Sequence, residues 1–321
     1  MRILKFGGKS LSTFEKTQNI CKNIKKIYKN DKKIIIVVSA ISNTTDNLYN
    51  LANEYSLFNP QKQELAKLLS TGETQSSALF AMMLNSLNIP AKSFSAYELS
   101  ISTYGDPLNS RIAYINKQPI IDCFNENKVA VVAGFQGINN QNEITTLGRG
   151  GSDTTASALG AIFDCNVEIC SDYSGVFSGD PKLLNFKKLK SASFNHILNM
   201  ANSGAKVLDS RAVHIAKNYN VNIISKSSEN LFEKGTLVSP LESDIVSLSS
   251  IDNLCQISID FSNQNKLQFL SKNVLNLLND INFYNFKFEF NKIIFTIKQQ
   301  DKLKTLNILA KKLKLLKNNT K

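Results

Sequence analysis

The stretch MRILKFGGKS, residues 1–10, places two glycines between a short apolar run and a polar one, and its last four letters imitate the end of an ATP-binding P-loop. The imitation fails on spacing: G-x-x-x-x-G-K-[ST] requires a glycine five residues before Gly8, where this chain has Ile3. Arg2 to Phe6 reads instead as a strand running straight into Gly7-Gly8. Residues 12–29 read as a helix, with Ile20, Ile24 and Ile27 at i, i+4, i+7. Strand, glycine turn and helix start together offer free backbone N–H groups, no Cβ in the way and a favourable helix dipole, which is an anion site with Lys5 just beneath it. An ordinary tight turn with a solvated lysine would be written the same way.

The chain around this stretch decides between the two. Apolar, β-branched runs at Ile34–Val38, Val129–Ala133, 167–170 and 221–224 alternate with amphipathic segments such as 74–87, where Leu79, Met83 and Leu87 share one face. That alternation predicts an α/β fold with a mostly parallel sheet sandwiched by helices, whose ligands bind beyond the C-terminal strand ends. The pattern stops near residue 240: every glycine lies at or before Gly235 and every proline at or before Pro240. The remainder, 244–321, reads strand (255–259), helix (266–278), two strands (283–290 and 293–297) and helix (302–315). This is most of a small α+β ferredoxin-like unit.

Composition narrows the class. Of 321 residues, 42% are hydrophobic and 20% charged, the balance of a globular protein with a substantial core. The longest apolar run, Ile34–Val38, is far too short to cross a membrane, and residues 1–10 carry no secretion signal. Cys21, Cys123, Cys165, Cys170 and Cys255 are scattered without a CxxC pair, and two histidines are too few for a His-based metal site. The expectation is a cytoplasmic protein. A net charge of +12 would permit nucleic-acid binding, but the excess is lysine spread along the chain, with no accompanying nucleic-acid motif. Against that lysine background only four arginines survive: Arg2, Arg111, Arg149 and Arg211. Arg149 sits among glycines, where a planar, bidentate guanidinium suits a carboxylate or phosphate.

The densest chemistry lies in TTLGRGGSDTTASALGAIF, residues 145–163, a glycine loop running into a helix that starts near Ser152 or Asp153. Asp153 either organises a nearby lysine or caps the helix; a cap leaves Arg149 between two glycines unexplained. CSDYSGVFSGDPK, residues 170–182, offers Asp172, Phe177 and Lys182 for a nucleotide base and phosphates, or is a plain loop. STGE, residues 70–73, fits a capping box best, with Glu73 as an ammonium ligand the other reading. VVSAISNTTDNL, residues 37–48, brings hydroxyls that hold a small polar substrate or cap a helix.

In this order, KFGG, VVSA…TTD, STGE, GFQG, TTLGRGGSDTTA, SDYSGVFSGDP and GAKVL resemble aspartokinase, of the amino-acid kinase fold, over residues 1–240. The resemblance implies transfer of the γ-phosphoryl of ATP, carried with Mg2+, to the β-carboxylate of L-aspartate, the entry to lysine, threonine and methionine synthesis. It implies that Lys5, Phe6, Gly7 and Gly8 hold the phosphates, with Lys206 and Val207 approaching from another side. Asp153 would orient the two lysines. Ser39, Thr45, Glu73, Arg149, Gly150 and Ser152 would form the aspartate site, and Ser171, Asp172, Phe177 and Lys182 the adenine and ribose loop. No side chain is assigned to a metal. Phosphoryl transfer needs positioning and cations more than covalent catalysis, and a carboxylate nucleophile, ionised at pH 7, needs no general base.

The chain departs from the family in three places. Lys9 stands where threonine or serine is usual. The nucleotide loop has Tyr173 and Ser174 for an aliphatic residue and an acid, and Lys182 for an arginine. The region 244–321 would make one ACT-like domain rather than two and lacks the family's loop glycine, which predicts a homodimerisation module that does not bind lysine or threonine in the usual way. A kinase of another acidic amino acid and a non-catalytic amino-acid sensor on the same fold are the competing readings. Lys9→Thr tests the first departure: we expect retained kinase activity with a changed KM for ATP, and a dead enzyme would refute that expectation.

Overall fold

Alternation along the central strands sorts side chains to two opposite faces, and two separate cores result. The computed structural model describes residues 1–183, 185–203, 205, 207–241, 247, 253–260, 283–289 and 292–312. These fall into two units, Met1–Ser249 and Ser250–Lys321.

The first unit is built on an eight-stranded sheet. Its strands are β1 (Arg2–Phe6), β2 (Ile34–Val38), β3 (Ala91–Phe94), β6 (Val129–Ala133), β9 (Val167–Ser171), β10 (Ser191–Ser193), β11 (Ile223–Ser227) and β12 (Thr236–Ser239), in the order β10-β12-β11-β9-β1-β2-β6-β3. The run from β11 to β3 is parallel throughout; β12 joins β11 antiparallel. Residues of β2 and β6 are wholly buried, so both faces need apolar side chains and the strands read as unbroken runs. Strand β11 begins two residues later than the 221–224 run suggested: Val221 still closes the preceding turn, its N–H donating to the Ala216 carbonyl at 2.8 Å.

One face, with Ile3, Ile35, Val37, Val132, Val167 and Ile223, packs on α4 (Gln118–Asn125), α5 (Gly151–Phe163), α6 (Phe194–Asn202) and α7 (Ser210–Asn218). The other, with Leu4, Phe6, Ile34, Ile36 and Val38, packs on α1 (Phe14–Tyr28) and α3 (Lys62–Ser86). Phe6 and Phe80 stack there with ring centroids 5.9 Å apart. A smaller sheet, β5 (Arg111–Tyr114), β4 (Ser102–Tyr104), β7 (Gln136–Ile138) and β8 (Ile144–Thr146), extends the loops beyond β6. The helix α2 (Thr44–Glu54) follows β2 and buries no side chain.

Helix α3 corrects two sequence expectations. Ser70 and Glu73 lie in its middle, so STGE is no capping box. The hydroxyls of Ser70, Thr71, Thr74, Ser76 and Ser77 turn back onto carbonyls three or four residues earlier, which lets a polar run continue as helix. Its core side carries Phe80 and Leu84, not Leu79, which is 45% exposed. Met83 and Leu87 only border that core. Leu79 and Met82 instead line an apolar groove of about 490 Å³ with Leu11, Phe14 and Ile41.

In the second unit, β13 (Leu254–Asp260), β14 (Phe283–Glu289) and β15 (Lys292–Lys298) form an antiparallel sheet in the order β13-β15-β14. With α8 (Lys302–Lys312) they enclose Ile257, Ile293, Phe295, Ile297 and Leu309. The expected helix over 266–278 lies outside the described residues. No helix among the described residues is long and apolar enough to cross a membrane.

The reassigned face of α3 has a measurable consequence. Leu84→Ala removes a fully buried side chain and is expected to cost about 2–5 kcal/mol in denaturant unfolding, against less than about 1 kcal/mol for Leu79→Ala. Equal losses would mean that the two faces are wrongly assigned.

Candidate active site

Parallel register brings the strand ends to one line. Phe6 pairs with Val38 on one side and Cys170 on the other; Val38 pairs with Ala133 and Cys170 with Lys226. Gly7, Ser39, Gly134, Ser171 and Ser227 are therefore neighbours along the C-terminal edge, although they are scattered over the chain.

Lys5 shares the face of Ile3, toward α5. Its Nζ lies 2.5 Å from Asp153 Oδ1, an ion pair whose side chains are only 12% and 14% exposed. The contact is electrostatic rather than an aligned hydrogen bond. Asp153 is not a cap: Gly150 occupies the N-cap position of α5 and no side chain caps the helix. Above Lys5 the turn is bare. A Cβ on Gly7 would meet only Lys5 Nζ, at 3.7 Å, whereas one on Gly8 would stand 2.3 Å from the Ala40 carbonyl. Gly7 thus leaves open space beside an ammonium, and Gly8 lets the loop after β2 close on the turn, where Ser42 N–H donates to the Gly8 carbonyl at 3.0 Å. Lys9 follows in a short 3-10 helix, Gly8–Leu11, and is exposed.

Glu73 reaches this edge from α3. Gly72 beside it is packed so tightly that a Cβ would lie 2.9 Å from Ala40 Cβ. Glu73 Oε1 accepts from the Ala40 N–H at 3.0 Å; Oε2 is buried with no partner. Burial pushes the Glu73 carboxyl up from its ordinary 4.5 to about 7, against the pull of the Ala40 N–H and the Lys5 ammonium. A half-satisfied buried carboxylate is costly unless something cationic completes it. Ser39 is half-buried at the strand end, its N–H donating to the Phe6 carbonyl, and Thr45 lies in the first turn of α2.

The glycine loop crosses the same edge. Gly148 and Gly150 adopt left-handed φ of 72° and 74°, and Arg149 between them is exposed with no side-chain partner among the described residues. Ser152 is buried against Gly134, where a Cβ would approach Ser152 Cβ to 2.7 Å. Phe135 takes a φ of 70°, held by its N–H to Thr155 Oγ1 and by the Leu147 N–H to its carbonyl.

The expected nucleotide loop begins at Ser171, whose Oγ accepts from the Tyr173 N–H, and continues through exposed Asp172. Asp172 lines a polar cavity of about 230 Å³ with Ser10, Lys16, Asn19, Ser228 and Glu229. Phe177 bridges to Lys188 and Lys182 is exposed; neither lines that cavity. Val207 packs against the first core. Lys206 lies outside the described residues.

Two groups at this edge were not singled out by motif. Arg211 donates to Asn109 Oδ1 at 2.8 Å and to the carbonyls of Leu147 and Arg149. Asp209 caps α7 and presses Oδ2 against Gly150. The arginine scarcity that drew attention to Arg149 applied equally to Arg211.

Residues 1–225 match the amino acid kinase family. Among curated proteins the chain is similar to an aspartokinase of Bacillus sp. (strain MGA3), 42% identical over 238 residues, covering 74% of this chain and 57% of that protein. It is also similar to an aspartokinase of Rickettsia bellii, 36% identical over 278 residues, covering 84% of this chain and 68% of that protein. The chain spans less than two thirds of the length of most of these relatives. Among solved structures it is similar to E. coli aspartokinase III in complex with lysine and aspartate (TM-score 0.77, 21% identity, 97% of this chain and 82% of that one), a likeness of fold. A further neighbour is the aspartate kinase from Synechocystis (TM-score 0.65, 29% identity, 99% of this chain and 56% of that one). By the match over most of its length, the chain belongs to the amino acid kinase family.

Proposed function

We propose that the chain is an aspartate kinase, transferring the γ-phosphoryl of ATP to the β-carboxylate of L-aspartate to give 4-phospho-L-aspartate and ADP. The observation that carries this reading is the Lys5–Asp153 ion pair on the open Gly7-Gly8 turn: a largely buried lysine, held in place, beside bare backbone. Such a cradle suits the phosphates, whose charge the lysine would offset as it shifts toward the leaving oxygen. The attacking carboxylate oxygen bonds to phosphorus as the bond to ADP breaks. The nucleophile is already ionised, so no proton needs to move.

The aspartate relatives supply the substrate, and the edge supplies groups to match it. Glu73 Oε2, buried and unpartnered, would take the substrate ammonium. Arg149, with no side-chain partner among the described residues, would take a carboxylate as a planar fork, with Ser39, Thr45, Gly150 and Ser152 around it. ADP is present in an E. coli aspartokinase III neighbour, and here Ser171 and Asp172, beside the polar cavity, would face the nucleoside. We read Phe177, Lys182, Lys206 and Val207 as further nucleotide contacts. Mg2+ would enter with the nucleotide phosphates, whose charge it screens. The C-terminal unit, with its antiparallel sheet and α8, is read as an ACT-like module supporting a homodimer.

The decisive assay traps the acyl phosphate with hydroxylamine. Aspartate-dependent hydroxamate is expected from the full chain, and a panel of other acidic amino acids should give none. Lys5→Ala and Asp153→Ala should each lower kcat by at least about a hundredfold. Unchanged activity in either would remove the ion pair from the mechanism.

Glu73 adds a pH signature. With its carboxyl raised to about 7, the free protein holds it neutral below that pH and charged above. The unfolded chain ionises this carboxyl near 4.5 while the folded protein keeps it protonated to about 7, so stability falls as pH rises through that window, and a bound ammonium offsets the loss. The KM for aspartate should rise as pH falls below about 7, by up to about tenfold per unit, and Glu73→Gln should flatten the dependence. A KM flat with pH in the unaltered protein would exclude Glu73 as the ammonium ligand.

A further inference from the structure

We propose that Arg211 is a positioning residue for substrate binding: its guanidinium clamps the glycine loop from behind and thereby aims Arg149. The proposal rests on the aspartate-kinase reading for the identity of the substrate, but the clamp itself stands on geometry. The loop 147–151 contains two glycines in the left-handed region, Gly148 and Gly150. Glycine backbone loses the most conformational freedom when ordered, so a loop of this kind does not hold a single shape without external contacts. Arg149 does not supply them: its side chain is exposed and has no partner among the described residues.

Arg211 does supply them. Nη1 donates to the Leu147 carbonyl and to Asn109 Oδ1, the latter at 2.8 Å, and Nη2 donates to the Arg149 carbonyl. One rigid fork therefore binds the backbone on both sides of Gly148 and sets the direction in which the Arg149 side chain leaves the chain. Asp209 holds the next residue. Its Oδ2 rests where a Gly150 Cβ would come within 2.0 Å, while its Oδ1 caps α7 through the N–H groups of Arg211 and Ala212 at 3.0 and 3.3 Å. Nε of Arg211 stands 3.6 Å from the same Oδ1. The first turn of α7 thus acts as a jig for the loop, and α7 in turn packs on α5, which carries Asp153. A lysine at 211 would keep the charge but could not span the two carbonyls.

The test compares unaltered protein, Arg211→Ala and Arg211→Lys in steady-state kinetics and in hydrogen exchange of the unliganded chain. In Arg211→Ala the KM for aspartate should rise at least about tenfold while the KM for ATP stays within about twofold, with Arg211→Lys between. Exchange should accelerate at amides 147–153 and not in β1 or β2. Millimolar guanidinium should restore part of the aspartate KM in Arg211→Ala, which a general loss of packing would not allow. Parallel rises in both KM values, or unchanged exchange at 147–153, would overturn the proposal. If the unaltered protein shows no aspartate-dependent turnover, the functional reading fails, and exchange confined to 147–153 still decides the clamp. Should Arg211→Ala not fold, Arg211→Lys carries the same comparison with a smaller expected shift.

Discussion

Parallel register is the constraint on which the rest of the first unit depends. Because β11, β9, β1, β2 and β6 run the same way and end level, the residue at or just after the end of each strand is delivered to one edge. Nothing apolar can follow there, since that edge has left both cores. The chain puts glycine or serine at all five places, and each does a steric or hydrogen-bonding job. Gly7 leaves open space beside Lys5 and Gly134 admits Ser152. Serine N–H and hydroxyl groups close the turns at Ser39 and Ser171. The site is what remains when a parallel sheet has used its apolar residues inside.

The charges at this edge are arranged to be incomplete. Lys5 and Asp153 neutralise one another, which leaves Glu73 as a buried acid that the protein itself only half satisfies. Among the described residues the other buried glutamate is treated differently. Glu168, buried in β9, takes both Arg2 nitrogens at 2.6 Å and Lys226 at 3.1 Å, so its charge is fully met within the sheet. The contrast separates an acid whose charge is met inside the fold from one whose second oxygen has no partner among the described residues. It also explains Arg2, one of four arginines, without any functional role.

Much of this was legible in the sequence because burial on both faces leaves a plain signature. Ile34–Val38 and Val129–Ala133 could hardly be anything but central strands. The glycine loop and its helix were readable because Gly150 and Gly151 have no alternative use. Helix α3 was misread where it is polar: Ser70, Thr71 and Thr74 resemble a helix start until their hydroxyls are seen to bond within the helix. Its apolar face was misread because Leu79 and Met83 have the right spacing but border a groove, while Phe80 meets Phe6. Arg211 was not legible at all in its role. Its partners are backbone carbonyls 62 and 64 residues away and an asparagine 102 away, and no local pattern encodes a contact with a peptide oxygen.

Some of the first unit's left-handed backbone falls on the same edge as the unmet charge. Phe135, Gly148 and Gly150 all take positive φ, and all three are tied down by contacts from other elements: Thr155 on α5, Arg211 and Asp209 at the start of α7. A left-handed non-glycine residue costs about 1 kcal/mol or more and persists only where its surroundings over-determine it. Helix α2, across the edge, has no buried side chain and no comparable ties. The site therefore has one rigid wall, carrying Arg149 and Asp153, and one lightly held wall, carrying Thr45.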